Sequence, residues 1–207
     1  MKKCLPIIIF LFFCFNFLIA QNAWFNEIHY DNTGTDENEF IEVVIENAGD
    51  YSLSDFEVVL YNGSGGVVYN TTSLDQFTEG STVLNFTIYY FVYPTNGIQN
   101  GSPDGMALVY QGTLIPGQFL SYEGTFTATG GPANGVLSTD IGVSEAGTEP
   151  VGQSLQLLGS GTQYSDFTWS GPHAETSGSV NSDGTTDQSL PVELTSFTAR
   201  AGDQQVT

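Results

Sequence analysis

From residue 39 onward, apolar and polar positions alternate in short runs. Ile41, Val43 and Ile45 are interleaved with Glu42, Val44 and Glu46, and "DFEVVLY" at 55–61 places Phe56, Val58 and Leu60 on one parity. A period of two sustained over four to eight residues marks a half-buried strand. "STVLNFTIYYFVY" at 81–93 is longer and apolar on both parities, which predicts a central strand or two strands joined by a bend. Further runs at 66–70, 106–110, 118–123, 135–139, 154–158 and 166–169 are separated by "NGSGG", "NGIQNGSPDG", "IPG", "GGPANG" and "GSG", sequences rich in turn formers. No stretch shows helical periodicity. About nine or ten short strands at this spacing predict an all-β sandwich rather than an α/β enzyme fold. The absence of a repeat of 20–50 residues argues against a propeller or solenoid.

The two ends break this pattern. Lys2 and Lys3 precede an apolar run from Leu5 to Ile19, followed by Ala20 and then Gln21 and Asn22. A basic start, an apolar run shorter than the roughly 20 residues of a spanning helix, and a small residue at the junction predict a signal peptide over 1–20. The mature protein is then secreted to the outside of the cell or to its outer surface. At the other end, "GPHAETSGSVNSDGTTDQSLP" lacks apolar periodicity, so 174–190 reads as a linker after a sandwich spanning 22–173. Alternation resumes after Pro191, and 191–207 reads as the start of a further β module. A strand cut there would be an edge with nothing to pair against.

Charge narrows the partners. The chain carries 23 Asp and Glu against 3 Lys and Arg, a formal net charge of -20. All acidic residues except Glu193 and Asp203 lie between Asn22 and Ser189, a span without Lys or Arg. Direct binding to nucleic acid is disfavoured, because affinity for a polyphosphate depends on basic side chains releasing counterions. Adsorption to anionic lipid is disfavoured on the same ground. Cys4 and Cys14 both fall in the predicted leader, so the mature chain has no disulfide, cysteine nucleophile or thiolate metal site.

Candidate chemistry concentrates in "NEIHYDNTGTDENEF" at 26–40. His29 with Asp31 could serve as a base and its orienting carboxylate, but no nucleophile accompanies them: the G-x-S-x-G elbow, H-E-x-x-H and a phosphate-binding loop are all absent. Asp31, Asn32, Asp36, Glu37 and Glu39, with Asn38, supply the hard oxygen ligands that suit calcium around Gly34, although their spacing is not that of a helix-loop-helix site. The plainest reading is a hairpin, with a strand over 26–30, a connection over 31–38 in which Asp31 or Asn32 bonds nearby backbone, and a second strand over 39–46. Trp169 reads as a core aromatic. Tyr89, Tyr90, Phe91 and Tyr93 alternate faces, and the exposed half could stack on carbohydrate.

Four blocks occur in the order found in the bacterial lamin-tail domain family: "NEIHYDNTGTDENEFIEV", "NGIQNGSPDGMALV", "FLSYEGTFTATGGPANGVLSTDIGVSE" and "PVGQSLQLLGSGTQYSDFTWSGP". The resemblance covers about residues 24–173 and implies an immunoglobulin-like β-sandwich that is not itself an enzyme. In that family such modules are attached to exported nucleases, phosphatases, proteases or surface proteins. "LPVELTSFTA" at 190–199 resembles the junction of proteins exported by the type IX route of Gram-negative bacteria. Together these resemblances imply an accessory domain that presents or tethers a neighbouring module at the cell surface, with any hydrolase activity beyond Thr207. The alternative from another class is a calcium-dependent carbohydrate- or protein-binding module.

Overall fold

A computed structural model describes residues 21–190. The predicted leader and the segment 191–207 lie outside the described residues. The described residues form eleven strands: β1 (Ala23–His29), β2 (Phe40–Glu46), β3 (Phe56–Asn62), β4 (Val67–Ser73), β5 (Thr78–Val83), β6 (Phe86–Val92), β7 (Asp104–Tyr110), β8 (Thr113–Tyr122), β9 (Thr139–Asp140), β10 (Gln153–Gly159) and β11 (Phe167–Ala174). Among the described residues helix is limited to four single turns of 3-10 type. The first sheet has the order β11-β10-β1-β2-β6-β5 and the second β4-β3-β7-β8-β9. The two pack face to face as an all-β, immunoglobulin-like sandwich.

The apolar run at 81–93 resolves into two strands. Leu84, with φ of 55°, turns the chain between β5 and β6, which pair as a hairpin. The aromatic row in β6 gives no continuous exposed platform: Tyr89 and Tyr93 are buried, and Phe91 packs against Phe77 and Tyr93 with ring centroids 5.4 and 4.9 Å apart. Trp169 is also buried, its Nε1–H donating to Tyr164 Oη at 2.9 Å. The predicted strand at 135–139 contributes only a bridge from Leu137 to Thr127 and the two residues of β9.

Alternation in the second sheet sorts side chains onto two faces. Val58, Leu60, Met106, Leu108 and Leu120 enter the core between the sheets. Val59, Tyr61, Ala107, Val109 and Phe119 point the other way, where Phe126, Ala128 and Ala133 of the connection between β8 and β9 cover them. That connection, 126–138, is a flap closed by apolar contact. Gly105 makes room for it: a Cβ there would stand 2.4 Å from Leu120 O and 3.0 Å from the Phe126 ring.

The outer face of the first sheet is covered differently. Tyr30 stacks on Tyr122 of the second sheet at 4.0 Å, which places Ile28 and Tyr30 inward and Glu27 outward. Over Glu27 lies the stretch expected to be a linker. Residues 175–190 fold back as a strap instead, with Asn181 fully buried and Gln188 and Leu190 2 % exposed. Asn181 Nδ2 donates to Asn26 O at 2.9 Å and Leu157 O at 3.0 Å, and Gln188 Nε2 donates to Asn26 Oδ1 at 2.6 Å. The strap is held by side-chain amides and backbone bonds rather than by an apolar stripe, which is why the sequence pattern reads as unstructured. It also corrects the expectation of a half-solvated β2, which is buried from Phe40 to Ile45 on both parities.

Candidate functional site

The loop joining β1 to β2 occupies one end of the sandwich beside two others, 94–101 and 141–149. β1 and β2 pair as the predicted hairpin, with His29 opposite Phe40. Gly34, at φ 95°, and Asn38, at φ 60°, supply the left-handed conformations the connection needs.

His29 has no solvent exposure, and its partner is Glu145, not Asp31. Nδ1 donates to Glu145 Oε1 at 2.8 Å. Nε2 faces Glu37 O at 3.2 Å and Asn32 Oδ1 at 3.3 Å. Asn32 Oδ1 already accepts from Glu37 N at 2.9 Å, while its Nδ2 donates to Thr35 O at 2.9 Å. Nε2 meets a main-chain carbonyl and so carries a proton, and one further proton lies between Nδ1 and Glu145 Oε1. Burial alone would lower the His29 pKa, but the hydrogen bond and charge of Glu145 outweigh it and the net direction is upward.

Glu145 is the hub. Oε2 accepts from Tyr30 N at 2.7 Å and Asp31 N at 2.9 Å, and the Glu145 amide donates back to Tyr30 Oη at 2.9 Å. Burial raises the Glu145 pKa, against the pull of His29 and of the two amide donors. The buried pair fastens 141–149 to the start of the β1–β2 loop. With both ring nitrogens engaged and no exposure, His29 has no free position that a substrate atom could reach.

Of the predicted oxygen ligands, Asp31 and Asp36 come together and the others are directed elsewhere. Asn32 is turned into the loop by the bonds already described. Asp36 Oδ1 accepts from Asn32 N at 3.2 Å, and its Oδ2 accepts from Asn100 Nδ2 at 3.1 Å. Glu39 points to the neighbouring loop, where Gly97 N and Ile98 N donate to it at 2.7 and 3.0 Å. Glu37 and Asn38 are exposed. Asp31 is half-buried beside Asp36, and burial first, then the Asp36 charge, lift its pKa to about 6. Burial likewise raises Glu39 to about 7, against the pull of its two amide donors. Among the described residues, no group of three or more His, Asp or Glu is placed to hold a metal ion.

Sequence reasoning did not find Glu145, 116 residues from His29, nor the carboxyl pair Glu27 and Glu42 beneath the strap. A cleft of about 280 Å³ lies away from this end, lined by residues that include Asn22, Ile115, Gln118 and Tyr164, and it contains no Asp, Glu or His. Compared with known proteins, the chain matches no family model, no curated protein and no solved structure.

Proposed function

We propose that this sandwich is a non-catalytic, exported accessory domain that presents or tethers a neighbouring module at the cell surface, using its loops or a strand edge for contact. The observation that carries the proposal is the full burial of His29 with both ring nitrogens engaged. Acid-base chemistry needs a group with a free position facing substrate, and the loop end offers carboxylates held by backbone amides instead. The resemblance to lamin-tail domains and the leader-like start lend further support. A calcium-dependent adhesion module would need Asp36 and Glu39 to give up amide partners before they could share an ion.

Two measurements test the proposal. The purified chain is expected to turn over no ester, glycoside or nucleic-acid substrate; activity that disappears in His29→Ala while the fold persists would overturn the non-catalytic assignment. Antibody against the sandwich should label intact producing cells or their medium. Lysine-directed labels are unsuited to this, since the span from Asn22 to Ser189 has no lysine. Signal confined to permeabilised cells would remove the surface role.

A further inference from the structure

The strap sits on two carboxyl groups. Glu27 and Glu42 are direct partners across β1 and β2, and both are fully buried. Glu27 Oε1 accepts from Ser154 Oγ at 2.5 Å, from Thr176 N at 2.8 Å and from Gln156 Nε2 at 3.2 Å, and its Oε2 accepts from Thr176 Oγ1 at 2.9 Å. Glu42 Oε1 accepts from Asn26 Nδ2 at 2.8 Å, and Oε2 accepts from Gly178 N at 2.7 Å. The sequence provides no Lys or Arg between Asn22 and Ser189 to neutralise either. Side chains directly opposite on neighbouring strands stand about 5 Å apart at Cβ. Two carboxylates at that spacing, away from water and without a cation, cannot both be ionised, so the pair keeps at least one proton.

We propose that Glu27 and Glu42 form a proton-sharing latch that holds residues 175–190 on the first sheet, and that the strap is released when the pair loses its shared proton. Both ends of the contact fit that role. Thr176 and Gly178 close over the pair through backbone N–H groups; these bonds favour the charged form, but the burial of the pair disfavours it more, so ionisation drives the strap open to water. Apart from Val180 and Leu190, the strap contributes no large apolar side chain to the core. Its local opening exposes groups that water can satisfy, and is less costly than global unfolding.

The other titratable groups beside the pair are Tyr90, opposite Glu42 on β6, His173, opposite Ser154 on β11, and Glu175 of the strap, while Asp183 and Asp187 bond within the strap; β10 contributes Ser154 and Gln156. His173 Nε2 is engaged with Ser170 Oγ at 2.8 Å. Burial pushes Glu27 up to about 7, with Glu175 adding to the rise, and burial followed by the Glu27 charge drives Glu42 well above 4.5. A carboxyl whose pKa is raised by folding adds stability that is complete below the unfolded value and fades as pH rises through the folded one. The latch is therefore tightest in acid and loosens as pH rises from about 4.5 toward about 7.

Hydrogen exchange of the intact chain between pH 5.5 and 8.5, corrected for the intrinsic dependence of exchange on pH, tests the latch. Protection at 175–189 should fall by up to about tenfold per pH unit as pH rises toward 7, the limit for linkage to one proton, and level off above that, while protection in β7 and β8 changes less. Glu27→Gln keeps an acceptor for Thr176 N and offers an amide donor to Thr176 Oγ1, mimicking the protonated acid, so the step should vanish or move to higher pH. His173→Gln should leave it in place. In the unmodified chain, the infrared carbonyl band of a protonated carboxyl should persist at pH 6.5, a readout that requires no variant to fold. Absence of that band, a pH-independent strap, a step retained in Glu27→Gln, or a step lost in His173→Gln would each overturn the proposal.

Discussion

Both outer faces of this sandwich are covered by a returning segment, and the two covers use opposite chemistry. The flap over the second sheet brings Phe126, Ala128 and Ala133 down on Val59, Tyr61 and Phe119, with Phe126 edge-on to Phe119 at 5.3 Å. The strap over the first sheet brings amides, hydroxyls and backbone N–H groups down on Asn26, Glu27, Glu42 and Gln156. An apolar cover is indifferent to pH and tolerant in register, because dispersion and water exclusion are not directional. A polar cover fixes one arrangement, since each buried donor must meet its acceptor, and its strength follows the protonation of the groups beneath it.

The largest expected effect breaks the flap. Phe126→Ala removes the ring that joins Tyr61 and Phe119, and should cost about 3 kcal/mol in urea unfolding, equally at pH 5.5 and pH 8. A loss that depended on pH would mean that the flap shares the strap's electrostatics. Slightly smaller is the effect of pH on the unsubstituted chain. Glu27 and Glu39 both rise from 4.5 to about 7, and His29 rises from 6.5. Each contributes stability that is lost as pH climbs through its folded value. The melting temperature should therefore be higher at pH 5.5 than at pH 8, with Glu27 alone supplying up to about 2 kcal/mol. A melting temperature that climbed toward pH 8 would contradict a protonated pair beneath the strap.

Asn181→Ala probes the strap without touching an ionisable group. It strands the carbonyls of Asn26 and Leu157, which the side chain now satisfies at 2.9 and 3.0 Å. A loss of about 2 kcal/mol is expected, with exchange accelerated at 175–189 and little changed in the flap. If the flap loosened as much as the strap, the covers would not be independent.

The contrast also explains what was legible in the sequence. Strands of the second sheet could be read because apolar residues fill most positions of β3 and β7 on both parities, and turn residues punctuate them. The strap could not, because "ETSGSVNSDGTTDQS" has the composition of a solvated linker, and only the geometry of Asn181 and Gln188 distinguishes the two. Glu42 carried a hint in the same way that it misled: a carboxylate on the polar parity of a strand suggests water on that face. The missing lysines point the other way, toward a protonated acid. At the loop end, the hairpin and its glycine turn followed from local pattern. The partner of His29 did not, since Glu145 lies in an irregular segment that no periodicity marks.

Salt should have the smallest effect and the sharpest diagnostic value. With acidic residues unopposed from Asn22 to Ser189, raising sodium chloride from 0.1 M to 1 M shortens the Debye length from about 10 Å to about 3 Å and relieves surface repulsion. The whole domain should gain about 1 kcal/mol or less, measured as a uniform rise in melting temperature. A fully buried carboxyl pair is screened far less than the surface, so salt should not restore strap protection at pH 8.5 beyond the gain seen in the flap. Selective rescue of the strap would mean that ions reach Glu27 and Glu42, and that cation access, not the shared proton, governs how tightly this cover is held.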